Sequence, residues 1–332
     1  MKAVIISRGN EDPQIRELPV PVPDKGEVLI QVKHVLLTPE DLNVKELPLD
    51  EVVPGRFLTG EVVGTGHGVI NFNTGDTVVV NPILNCGNCS YCYTQKEDLC
   101  SDPKILGKDI DGGLAEYIKV SEKNLVKLPL EISPQQGTFI PLLSDLLYFI
   151  PDSMTPGLTS ITTINSIEGV IFTRLLLISG TIRNIIFSTS QRLRTFLKPD
   201  LRIMYTEETS AFSSMCAELG EHIDLGFEFT GDGSLLKLIT KNISRGGTVY
   251  ICKTVRDIPQ EYNLLEEINS RMFVIKPGNF LSSQKRMKYS TKLLLTHALN
   301  TEDFITHVFS LEDLQKIKSI LTKEPALTLV NF

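Results

Sequence analysis

NCGNCSYCYTQKEDLC, Asn85 to Cys100, gathers four of the chain's six cysteines into sixteen residues. The spacing is Cys86-x2-Cys89-x2-Cys92-x7-Cys100. A C-x2-C turn places two sulfurs on one ion, and zinc prefers four such ligands in a tetrahedron. Four thiolates make a closed shell with no position left for water or substrate, so the implied role is structural. Binding energy at such a site is folding energy, and here it ties down a lobe without a core of its own. An iron–sulfur cluster also takes four thiolates, but the surrounding chain offers no sign of an electron-transfer partner. Isolated core cysteines do not cluster in this way. Cys216 and Cys252, in a predicted helix and a predicted strand, read as core residues.

Upstream and just downstream of the cluster, glycine and proline punctuate short strand patterns. GEVLIQVKHV alternates apolar and polar residues, NFNTGDTVVVNP is a turn at Asn73–Asp76 running into a β-branched strand, and GGLAEYIKV is a further glycine-led strand. These predict a small barrel or strongly curved sheet over the first 130 residues or so. FIPLLSDLLYFI, from Phe139, is apolar at helical spacing. Beyond Arg174 strand and helix patterns alternate. LLLISG (Leu175–Gly180) reads as a buried strand, and TIRNIIFSTSQRLRTFL places Ile182, Ile185, Ile186, Thr189, Leu193 and Phe196 on one helical face. LRIMYTE, GFEFTGD and GGTVYICK read as strands, with SAFSSMCAELG and SLLKLITKNI as helices between them. That rhythm predicts a doubly wound parallel sheet, because parallel strands need crossovers and helices supply them.

The 332 residues exceed one comfortable core and favour two domains. Hydrophobic residues at 42% and charged residues at 22% are globular values. A net charge of −7 argues against a nucleic-acid groove or an anionic membrane surface as partner. The basic run SSQKRMK (Ser282–Lys288) reads as a solvated face. MKAVIISRGN is too short in apolar length for a leader peptide, and no run approaches a membrane span. The expected location is cytoplasmic, where thiols stay reduced and clustered cysteines bind metal.

Taken together, CGNC and its two following cysteines, GEVVGTG, NFNTGDTVVVNP, GGLAEYIKV and the late HVFSLEDL (His307–Leu314) resemble the medium-chain dehydrogenase/reductase superfamily, in its zinc-containing alcohol dehydrogenase branch. The resemblance runs over nearly the whole chain. It implies an α/β fold: a GroES-like β-barrel domain over 1–145 with a structural zinc lobe at 82–103, a Rossmann-like doubly wound domain over 146–285, and a return to the first domain over 286–332. It further implies a homo-oligomer, dimer or tetramer, with an active site and a small-molecule or nucleotide ligand in the cleft between domains.

The resemblance also implies a catalytic zinc, held by the cysteine of C-G-[ST]-D, the histidine of G-H-E and a later acid or cysteine. The first stretch is here LTPEDL, with Thr38 at the cysteine position and Asp41 retained. The second is read on LTGEVVG, with Gly60 at the histidine position and Glu61 retained, and the third position offers Ser144 and Asp145. His67 is out of register. A hydroxyl is a poor zinc ligand and glycine offers none, so no catalytic zinc is expected. The phosphate fingerprint G-x-G-x-x-G, read on Ser179–Asn184, has Ser179, Thr181 and Asn184 in place of glycines. Gly180 and Thr181 remain as candidate cofactor-turn residues, with Arg183 within reach of a phosphate. Glu207 is the candidate acid for the ribose, and FTGDG (Phe229–Gly233) is a preserved cofactor wall. NAD(P) binding is therefore doubtful. Two functions are expected from this: a dehydrogenase scaffold with hydride transfer weak or lost, serving binding, regulation or assembly, or a zinc-independent NAD(P)(H)-linked oxidoreductase acting on a small carbonyl or alcohol.

Overall fold

The computed structural model describes residues 1–43, 47–151, 156–220, 222–277 and 283–332. It divides into two compact units, Met1–Asp145 with Leu281–Phe332, and Leu146–Phe280. The return to the first unit thus begins slightly earlier than residue 286.

The first unit opens with β1 (Lys2–Ser7), β2 (Asn10–Glu17), β3 (Glu27–Leu37), β4 (Glu51–Val52), β5 (Phe57–Thr65) and β6 (Thr77–Val80). β7 (Ile83–Leu84), helix α1 (Ser90–Tyr93) and β8 (Lys104–Ile105) carry the cysteine lobe. β9 (Tyr117–Ser121), β10 (Leu125–Lys127), α2 (Pro134–Gly137) and α3 (Phe139–Leu147) complete the stretch. β3 alternates between buried and half-buried positions from Glu27 to Lys33, as its sequence period requires, and ends in a buried run from Val35 to Leu37. It is central, pairing antiparallel with β5 and β9. Its glycine-free interior packs Val28, Ile30 and Val32 against Leu58, Val62 and Val78 in one continuous core.

The second unit is a six-stranded parallel sheet with the order β13-β12-β11-β14-β15-β16. Its elements are β11 (Thr159–Ile164), α4 (Ile167–Ile178), β12 (Arg183–Ser188), α5 (Gln191–Arg194), β13 (Ile203–Thr206) and α6 (Thr209–Leu219). β14 (Leu225–Glu228), α7 (Gly233–Asn242), β15 (Thr248–Ile251), α8 (Leu264–Arg271) and β16 (Val274–Pro277) follow. Two assignments from sequence are reversed here. Leu175–Ile178 is the end of helix α4, not a strand, and Arg183–Ser188 is strand β12, not a helix. α4 is buried nearly all round, so its apolar run lacks the 3.6-residue polar interruption that marks an amphipathic helix. β11, the first strand, escapes notice for the opposite reason. It is rich in Thr and Ser yet wholly buried, with Thr163 bonded to Glu228 and Ser160 to Asn184.

The chain then returns through α9 (Gln284–Leu295), β17 (His307–Ser310), α10 (Leu314–Lys323) and β18 (Thr328–Asn331). β18 pairs antiparallel with β3, which seals the C-terminal segment into the first unit. Ser282 of the basic run lies outside the described residues. The remainder of that run opens α9 and is not wholly solvated, since Met287 is buried and Arg286 is paired with Asp98. Cys216 and Cys252 are buried, as a core role requires.

Candidate active site and metal centre

No residue from Leu84 to Ile105 is buried, so the cysteine lobe has no apolar core. Its order comes from the sulfurs. The Sγ atoms of Cys86, Cys89, Cys92 and Cys100 all lie within 4.8 Å of one another. Individual separations are 3.5 Å for Cys89–Cys92, 3.5 Å for Cys86–Cys100 and 3.9 Å for Cys86–Cys92. Four thiolates at about 2.3 Å from zinc would stand about 3.8 Å apart, so the cradle fits the ion. Cys89 also caps α1, its sulfur accepting from Cys92 N, while Cys86 N donates to the Cys100 sulfur at 3.3 Å. Backbone N–H groups of Ser101 and Cys92 lower the pKa of the Cys89 thiol, while burial and the contact with Cys89 raise that of Cys92.

The second set of predicted ligands behaves differently. Gly60 cannot stand where a histidine should. A Cβ there would lie 2.4 Å from the Gln31 carbonyl oxygen and 2.5 Å from Ile30 Cγ2. It is a close-packing glycine in β5, and Glu61 beside it faces Lys33 at 3.8 Å. His67 is exposed. The residue that meets Thr38 and Asp41 is Arg56, two positions after Pro54, so G-H-E corresponds to Gly55-Arg56-Phe57. Gly55 holds φ +97°, a backbone state that glycine accepts without strain. From there Arg56 Nε donates to Asp41 Oδ1 at 3.1 Å and Nη2 donates to Thr38 Oγ1 at 3.2 Å, with Glu40 at 3.6 Å. The Thr38 amide and hydroxyl both donate to Asp41 Oδ2 at 2.8 Å. Burial opposes the Arg56 charge, but Asp41, Glu40 and Asp145 outweigh it and raise the guanidinium pKa.

A guanidinium has no lone pair for a metal and carries a fixed positive charge. The donor set therefore does not fit a zinc ion. Among the described residues the four cysteines form the one group of His, Cys, Asp or Glu side chains placed to hold a metal. Asp145, on α3, is buried, and one of its oxygens has no hydrogen-bond partner. Burial pushes its carboxyl up to about 7 against the pull of Arg56 and Arg286. Ser144 Oγ instead exchanges bonds with the backbone of Ser283.

In the second unit the phosphate turn must follow β11, because ligands of such sheets bind beyond the carboxyl ends of the strands. Gly180 and Thr181 are at the other end. They lead into β12, where Gly180 has φ +106° and Thr181 Oγ1 accepts from Asn184. This corrects the reading of Ser179–Asn184 as the fingerprint, and it removes Arg183, the first residue of β12, from phosphate reach. Glu207 lies past the carboxyl end of the edge strand β13, the third strand of the unit and not the second, after which the ribose acid was expected, and the Tyr205 hydroxyl donates to it at 3.0 Å.

The segment with the right placement is Ile164-Asn165-Ser166-Ile167-Glu168-Gly169. In the G-x-G-x-x-G spacing Ile164 and Ser166 replace the first two glycines and Gly169 keeps the third. A Cβ at Gly169 would come within 2.7 Å of Ile164 Cγ2, so this glycine serves the close helix-to-strand packing. Ser166 is the N-cap of α4, yet its hydroxyl makes no capping bond and has no partner, and Glu168 is buried in the first turn. At β14, Glu228 accepts from Thr230 N at 2.7 Å and Gly231 N at 2.9 Å, so the preserved FTGDG wall is braced from within. The run Thr-Ser-Ile-Thr-Thr-Ile-Asn-Ser, β-branched residues ending in a helix cap, was the signal that could have located this turn.

Comparison with known proteins agrees with this geometry. Residues 24–130 match the alcohol dehydrogenase GroES-like domain. The L-threonine 3-dehydrogenase of Bacillus licheniformis is 26% identical over 97% of this chain and 96% of its own length. The acryloyl-coenzyme A reductase of Metallosphaera sedula is 31% identical over 45% of this chain and 46% of its own. In structure, galactitol-1-phosphate dehydrogenase from Escherichia coli superposes with a TM-score of 0.90 at 20% identity, covering 100% of both chains. A 2R,3R-butanediol dehydrogenase from Bacillus subtilis gives 0.87 at 22%, covering 100% of this chain and 99% of its own.

Proposed function

We propose that the chain, which is similar to the medium-chain dehydrogenase/reductase superfamily on its zinc alcohol dehydrogenase-like branch, is a member whose metal-dependent hydride transfer is weak or lost and which serves binding, regulation or assembly. The observation that carries this reading is the pair of bonds from Arg56 to Asp41 and Thr38. They set a committed cation among the groups that a catalytic zinc would need. A divalent ion there would face the guanidinium in a partly buried, low-dielectric setting, where like charges repel strongly. The phosphate turn supports the same reading. Ser166 adds a side chain at the closest approach to a pyrophosphate, and Glu168 sets an acid in the helix turn that would otherwise favour an anion.

Zinc, where bound by the four cysteines, supplies folding energy and no Lewis acidity to substrate. The test is a titration of the purified protein with NADH and NADPH, followed by steady-state assays with small alcohols and carbonyls. Absent or very weak turnover supports the reading; turnover rates ordinary for a dehydrogenase would end it.

One observation favours the second reading, a zinc-independent NAD(P)(H)-linked oxidoreductase. The Asp145 carboxyl, poised near neutrality in the same unit as Arg56, is a proton carrier of the kind that a metal-free carbonyl reduction needs. Under that reading the cofactor is NADPH rather than NADH. β12 ends in Ser188-Thr189-Ser190, without the acid that holds a ribose 2′-hydroxyl, and Arg192 follows. A melting-temperature shift with NADPH well above that with NADH would support it, and equal shifts would not.

We further propose a homo-oligomer, dimer or tetramer, in which the cysteine lobe contributes to contacts. Tyr91, Tyr93 and Leu99 are exposed on its surface.

A further inference from the structure

Arg56 stands on a turn that leaves its backbone little freedom. Gly55, just before it, holds φ +97° and is wedged from two sides. A Cβ at Gly107 would lie 2.8 Å from the Gly55 nitrogen, and one at Gly112 would lie 2.4 Å from the Gly55 carbonyl oxygen. Gly113 N donates to that same oxygen at 2.8 Å, and Leu114 N donates to the Pro54 carbonyl at 2.9 Å. The side chain is held as firmly as its backbone. The guanidinium lies over the Phe57 ring, 5.0 Å from its centroid, with Nε bonded to Asp41 and Nη2 to Thr38.

One edge of the guanidinium is left over. Such a group carries five N–H donors in a fixed plane. Nε–H goes to Asp41 and one Nη2 hydrogen goes to Thr38, while Nη1 has no acceptor among the described residues. The side chain is 18% exposed, and Nη1 is not among the buried atoms that lack a partner, so this edge is open to solvent. An ion pair that served shape alone would be complete with Asp41 and Thr38. The Nη1 edge adds a pair of donors fixed in position before anything binds, which spares a ligand the loss of side-chain freedom on docking.

The surrounding charge selects among acceptors. Nη2 stands 3.6 Å from Glu40, and Nε is 3.1 Å from the buried Asp41, so one cation already faces two carboxylates. A carboxylate or phosphate at Nη1 would meet both of them in a weakly screened setting. An uncharged oxygen would not. We propose that the Nη1 edge of Arg56 is the recognition group of a ligand site for an uncharged carbonyl, ketone or amide, and that the site discriminates against carboxylates and phosphates. This deepens the proposed function, on which it rests for the view that the site binds, by naming the class of ligand taken there.

The test is a titration of the full-length zinc-loaded protein with benzamide and with benzoate, two probes of one shape, neutral and charged. The Nε–H resonance of Arg56, identified by its loss in Arg56→Lys, reports binding without cofactor or turnover. Saturation-transfer spectra of the probes give their affinities for both proteins. The expected result is a saturable shift of the Arg56 resonance with benzamide and none with benzoate. Benzamide is expected to bind roughly tenfold more weakly to Arg56→Lys, which keeps the charge and loses the Nη1 edge. An Arg56 resonance that does not move, the mark of a merely structural arginine, would overturn the proposal. So would equal affinity of benzamide for the two proteins, or benzoate binding as tightly as benzamide. If Arg56→Lys does not fold, a wild-type crystal soaked with benzamide decides. The amide oxygen is expected within hydrogen-bond distance of Nη1, and an amide seated elsewhere, or none, would overturn the assignment. Turnover ordinary for a dehydrogenase would end the proposed function and leave a benzamide response at Arg56 intact, whereas an unresponsive Arg56 ends only the ligand assignment.

Discussion

Arg56 and Asp145 are opposite answers to burial. Arg56 keeps its charge because Asp41 and Thr38 bond it directly, whereas Asp145 has an oxygen with no partner and is driven toward the neutral form. Replacing Arg56 by Met removes the cation and leaves Asp41 buried and unpaired, a change expected to cost about 3–5 kcal/mol in urea unfolding. Asp145 predicts a pH dependence whose sign follows from its raised pKa. The folded chain holds a proton that the unfolded chain releases at the ordinary carboxylate value, so stability falls as pH rises between roughly 4 and 7 and is level above. Asp145→Asn should abolish that fall and exceed the wild type at neutral pH, by an amount on the order of 3–4 kcal/mol. A parallel pair of stability curves would refute the assignment. Gly169 makes a third case. Gly169→Ala should cost about 1–3 kcal/mol through its clash with Ile164, and Ile164→Ala in the same chain should recover part of the loss.

At the scale of elements, the lobe and the phosphate turn show what each segment retains. The lobe from β7 to β8 has no core, so chelation of its metal should make 84–105 the first segment cut in limited proteolysis, while the rest of the first unit resists. The cysteine lobe was legible in sequence because four ligands at fixed spacing have one economical geometry. β3 and β9 were legible because half-buried strands alternate, and β6 because a β-branched run follows a turn. β11 and α4 were not. A buried strand made of Thr and Ser hides its β character among polar letters, and a helix buried on all sides loses its period. That double inversion shifted the fingerprint by one whole strand–helix step, and it carried Gly180 and Thr181 into a role at the wrong end of the sheet. The catalytic-metal position went wrong in a smaller way. The motif was read on Thr59-Gly60-Glu61, with Gly60 at the histidine position, whereas Gly55-Arg56-Phe57 is the matching stretch, and only the steric crowding at Gly60 and the bonds of Arg56 decide between them. Sequence cannot show which glycine has room for a neighbour's side chain.

Across the whole molecule one pattern recurs. The parts of the family's machinery that hold shape are kept, namely four cysteines and the packing glycine of the phosphate turn. At the positions that the proposed reading assigns to metal and phosphate the chain carries Thr38, Arg56, Ile164 and Ser166. A scaffold under this kind of constraint still needs its surfaces, and light scattering is expected to find a dimer or tetramer whose contacts weaken when Tyr93 is changed to Asp. Among the described residues no helix is long and apolar enough to cross a membrane. The most direct test of the account is the metal content of the purified protein, located by anomalous scattering in a crystal. The account predicts one zinc per chain, bound by Cys86, Cys89, Cys92 and Cys100. A second tightly held ion beside Thr38, Arg56 and Asp41 would contradict it.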